Sequence, residues 1–80
     1  MIALLDYGAG NVRSVQKALE AAGGEVSLVA LAGKMRDASA VVLPGVGAFD
    51  DCVNAMEKQE LLDGIREFIN TGRPFLGICV

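Results

Sequence analysis

Four short, almost uninterrupted apolar runs set the limits on what this chain can fold into. They are Ile2 to Leu5, Val26 to Leu31, Ala40 to Leu43 and Phe75 to Ile78. None alternates apolar with polar residues, as a strand with one face in water would. Such runs suit strands covered on both faces, which is the condition of a parallel sheet. The residues between them carry a different period. After Asn11, a good N-cap, Val12, Val15, Leu19 and Ala22 fall on one helical face, opposite Arg13, Gln16, Lys17 and Glu20. Gly23-Gly24 ends that helix. Helical spacing returns at Phe49, Cys52, Val53 and Met56, and again at Leu61, Leu62, Ile65, Phe68 and Ile69. The pattern predicts a break near Lys58-Gln59, which divides two helices or kinks one. Gly72 and Pro74 stop the helix before the last strand. Residues 32 to 39 read as a loop with one helical turn around Lys34 to Asp37.

The resulting order is β-α-β-β-α-β. Right-handed crossovers between parallel strands turn this order into an open, flavodoxin-like α/β sheet with helices on both faces. The natural strand order is 2-1-3-4, and residues 1–80 form one domain or part of one. Composition agrees, because 52% of residues are hydrophobic and only 5% aromatic. That content excludes disorder and fits an Ala/Val/Leu-rich α/β sheet better than a small β-sandwich.

The same composition narrows the partners. The net charge is −3, and no basic cluster exists beyond Lys34-Met35-Arg36, so nucleic acid is not expected. No apolar stretch approaches the roughly 20 residues of a membrane helix, and no leader pattern opens the chain, so a soluble cytoplasmic protein is expected. Cys52 and Cys79 are expected to be free thiols. Paired His or Cys clusters are missing, so no metal site is expected, and no cofactor is implied. The acidic pairs Asp50-Asp51 and Glu57/Glu60 read as solvated helix faces, the first pair complementing a helix dipole.

Three strand ends carry possible chemistry. Gly8-Ala9-Gly10 follows the first strand, but Arg13 stands where a dinucleotide fingerprint needs a small residue. A tight turn that permits close backbone approach is the simpler reading. Pro44-Gly45-Val46-Gly47 lies at the carboxyl end of the third strand, where open α/β sheets place ligands. Its glycines either free backbone N–H groups to face an oxyanion or simply let the chain leave the strand. Phe75-Leu76-Gly77-Ile78-Cys79 begins like a nucleophile elbow, although Cys79 alone reads equally as a small buried residue. A thiol needs a histidine, a cation or a helix N-terminus to become reactive, and the chain contains no histidine. Cys52, on an apolar helical face, reads as packing.

Together, Asp6-Tyr7-Gly8-Ala9-Gly10-Asn11-Val12-Arg13-Ser14, Leu43-Pro44-Gly45-Val46-Gly47-Ala48-Phe49 and Gly72-Arg73-Pro74-Phe75-Leu76-Gly77-Ile78-Cys79 resemble class I (triad) glutamine amidotransferases. Within that class they look like the glutaminase subunits of imidazole glycerol phosphate synthase, from histidine biosynthesis. The resemblance runs from Met1 to Val80 and is weakest at residues 30 to 39. It implies that Cys79 attacks the side-chain amide of glutamine, forming a thioester and releasing ammonia. Backbone amides of Val80 and of the Val46-Gly47 segment would form the oxyanion hole, Val46 after a peptide flip. Tyr7, Gly8, Gly10 and Asn11 would face a cyclase partner, a (β/α)8 barrel that forms the other half of a heterodimer and receives the ammonia.

Members of that family are more than twice as long, and their catalytic His and Glu would lie beyond Val80. The resemblance therefore implies an N-terminal part of such a domain, cut just after the nucleophile and inactive alone. Two other readings stay open from the residues: another cysteine-elbow hydrolase, amidotransferase or chaperone-like protein of the same fold, and a flavodoxin-like binding module without catalysis.

Overall fold

The computed structural model describes residues 1–7, 12–30, 32–45 and 55–78. Four strands, β1 (Ile2–Leu5), β2 (Val26–Val29), β3 (Ala40–Pro44) and β4 (Phe75–Ile78), form one sheet in the order β2-β1-β3-β4. All neighbours are parallel, with Ile2 beside Val26 and Ala40, and Val41 beside Phe75. The strand order and the α/β architecture are those expected from the apolar runs.

The direction of the chain reverses at the centre of the sheet. From β1 it moves outward to β2; from β3 it moves outward the other way to β4. Right-handed crossovers therefore put the two connecting helices on opposite faces. Helix α1 (Val12–Ala21) lies against β1 and β2. Helix α2 (Ala55–Asn70) packs with the 3-10 turn Ala32–Met35. On that side Ala3, Leu5, Val29, Val41 and Leu43 of the sheet join Met35, Ala38, Leu61, Ile65 and Phe68 in one buried cluster. The main cluster is thus on one face, while Leu4 and Val42, also buried, stand outside it. No residue of α1 is fully buried; Val12, Val15 and Leu19 are half-covered, and Ala22, expected on the same face, is exposed. Leu28 on β2 and Leu76 on β4 are also exposed, at 42% and 54%. Only the central strands behave as the runs suggest, since β2 and β4 are edges of the described sheet.

Local chemistry explains the boundaries. Gly23 takes φ +97°, its N–H donates to the Glu20 carbonyl, and the Gly24 N–H reaches back to Leu19, each at 3.0 Å. This is the paired-bond helix stop that needs a left-handed residue. Three expectations shift. The break near Lys58-Gln59 does not occur: α2 runs continuously through both residues. Lys and Gln are good helix formers, and Gln59 bonds Asp63 one turn on at 3.0 Å. The helical turn placed at Lys34 to Asp37 lies two residues earlier, at Ala32–Met35, because Met35 and Ala38 are the side chains buried under α2. Strand β2 stops at Val29, while β3 continues to Pro44. The helical spacing at Phe49 to Val53 and both cysteines lie outside the described residues.

Candidate active site

The direction of the chain reverses between β1 and β3, and the carboxyl edge of the sheet at such a reversal is where folds of this kind bind ligands. Three chain segments meet there. Tyr7 follows β1, Pro44 and Gly45 end β3, and Ile78 ends β4. Pro44 and Ile78 are register partners, and the Gly45 N–H donates to the Ile78 carbonyl at 2.8 Å. Gly45 itself has φ +62°, a left-handed conformation that a side chain resists. The ladder between β3 and β4 thus ends at a glycine that turns the chain out of the sheet, beside the residue that precedes Cys79.

Tyr7 closes the other side. It is 8% exposed and belongs to the buried cluster. Its hydroxyl donates to the carbonyl oxygens of Pro44 and Gly45, the latter at 2.7 Å. The end of β3 is therefore held from both flanks, by a phenol on the β1 side and by a main-chain carbonyl on the β4 side. Nothing in the apolar pattern pointed to this tether, although a lone tyrosine directly after a buried strand was a signal to weigh.

Of the residues singled out from the sequence, Tyr7 is described. Gly8, Gly10, Asn11, Val46, Gly47, Cys79 and Val80 lie outside the described residues. What the structure supplies is their approach: Tyr7 leads into Gly8, Gly45 into Val46, and Ile78 into Cys79, all at one edge of the sheet. Among the described residues no group of acidic, His or Cys side chains could hold a metal ion, and no helix is long and apolar enough to cross a membrane.

A surface pocket bounded by Met35, Arg36, Glu67, Phe68, Thr71 and Arg73 lies at the opposite, amino edge. Its chemistry is structural. The Arg73 guanidinium lies 4.5 Å from the Phe68 ring centre and donates to the carbonyls of Arg36 (2.8 Å) and Ala38 (2.5 Å) and to the Thr71 hydroxyl (2.9 Å). Arg36 and Glu67 pair at 3.6 Å with both side chains exposed, which contributes little.

Comparisons with known proteins bear on the readings left open at the carboxyl edge. Imidazole glycerol phosphate synthase subunit HisH of Rhodopirellula baltica is 45% identical over 80 residues, covering 100% of this chain and 39% of that protein. The proteins of the same name from Geobacter metallireducens and Prochlorococcus marinus subsp. pastoris are 51% and 46% identical over 79 residues, 99% of this chain and 38% of theirs. The chain is similar to HisH. The HisH likeness runs from end to end, so it includes Tyr7, Gly45 and Ile78 together. No protein-family model matches the chain. The chain spans less than two-fifths of the length of these HisH relatives.

Proposed function

We propose that these 80 residues are the N-terminal part of a glutamine amidotransferase subunit of imidazole glycerol phosphate synthase, a cytoplasmic enzyme of histidine biosynthesis. The reading rests on one observation: end-to-end similarity to HisH subunits at 40–51% identity, in a chain whose β1, β3 and β4 ends meet at one edge.

The chemistry follows from the residue types. The Cys79 thiolate attacks the side-chain amide carbon of glutamine, and the carbonyl oxygen becomes an oxyanion. Backbone N–H groups of Val80 and of the Val46-Gly47 segment stabilise it, Val46 after a peptide flip. The C–N bond breaks, ammonia leaves with a proton delivered by a general acid, and water hydrolyses the thioester to glutamate. Gly8, Gly10 and Asn11 would meet a cyclase subunit, a (β/α)8 barrel to which the ammonia passes, whereas Tyr7, expected with them, is packed in the core and only 8% exposed. With no histidine in the sequence, a histidine base has to come from residues outside these 80.

The test is ammonia release from glutamine, measured for the 80-residue chain and for the full-length subunit with its cyclase partner, each beside a Cys79→Ala control. The full-length complex is expected to release ammonia and to lose that activity with Cys79→Ala, while the 80-residue chain stays at its control. An active Cys79→Ala complex, or ammonia release by the 80 residues above their control, contradicts the assignment of the nucleophile or of the missing base.

A further inference from the structure

We draw no further inference here: the strongest candidate, the apolar outer edge of β4 where Leu76 is 54% exposed, carries nothing because nothing in the structure shows what covers it.

Discussion

Arg73 offers the sharpest test of how the amino edge of the sheet is held. It is half-buried at the entrance to β4, and its guanidinium joins the turn after Met35 to the end of α2 through the carbonyls of Arg36 and Ala38 and the ring of Phe68. Replacing it with methionine keeps the aliphatic stem and removes the charged fork. A partly exposed cation over an aromatic ring contributes about 0.5–1 kcal/mol. Each carbonyl bond, discounted for solvent access, contributes about 0.5–1 kcal/mol. The expected loss for Arg73→Met is therefore about 2 kcal/mol. For a chain this small, with a urea m-value of about 1 kcal/mol/M, that is a fall of roughly 2 M in the unfolding midpoint. Arg73→Lys should recover about half, since an ammonium reaches one carbonyl but cannot bond Thr71 and both carbonyls while stacking on the ring. Urea titration followed by far-UV circular dichroism measures both. A shift below about 0.5 M for Arg73→Met, or a lysine variant equal to wild type, refutes the reasoning.

Other perturbations separate packing from backbone strain. Phe68→Ala empties the centre of the cluster under α2, where Phe68 is 2% exposed, and should cost about 3–5 kcal/mol, enough to abolish the cooperative unfolding transition of the isolated 80 residues. Gly72 and Gly33 both have open space around an added Cβ, but only Gly72 has positive φ, at +81°. Gly72→Ala should therefore destabilise by about 1–2 kcal/mol, while Gly33→Ala is neutral or stabilising by up to about 1 kcal/mol; paired thermal melts check the contrast. Leu76→Lys places a charge on the exposed face of β4, an edge of the described sheet. It should slow aggregation of the isolated chain in light scattering without changing its circular dichroism.

The sheet was legible in the sequence because its signal is local. Ile2–Leu5 and Phe75–Ile78 coincide with their apolar runs, and the Gly23-Gly24 stop was visible because positive φ selects glycine. The break expected near Lys58-Gln59 illustrates the opposite case. There, apolar spacing lapses because the helix surface is polar, while the backbone continues. Exposure of Leu28 and Leu76 was likewise invisible, since an apolar run carries no mark of whether its strand ends up central or at an edge. Of the candidate site, the strand ends could be read from their glycines. The bonds of Tyr7, and those of Arg73 to the Arg36 and Ala38 carbonyls, could not, because each joins residues 35 or more apart in the chain, and a single sequence holds no record of such pairs.

The place of β1 has a consequence for how the protein is made. This strand leaves the ribosome before both of its neighbours, yet it is seated between β2 and β3, with Ala3, Leu4 and Leu5 fully enclosed. At a synthesis rate of about 5–20 residues per second, its second neighbour arrives some seconds after the first residues do, whereas a loop of this size closes in well under a millisecond. Translation, and not chain diffusion, therefore times the closing of the sheet. Until Ala40 has emerged, one side of β1 has no strand beside it. The seam that waits longest is the one at whose end Tyr7 and Gly45 meet.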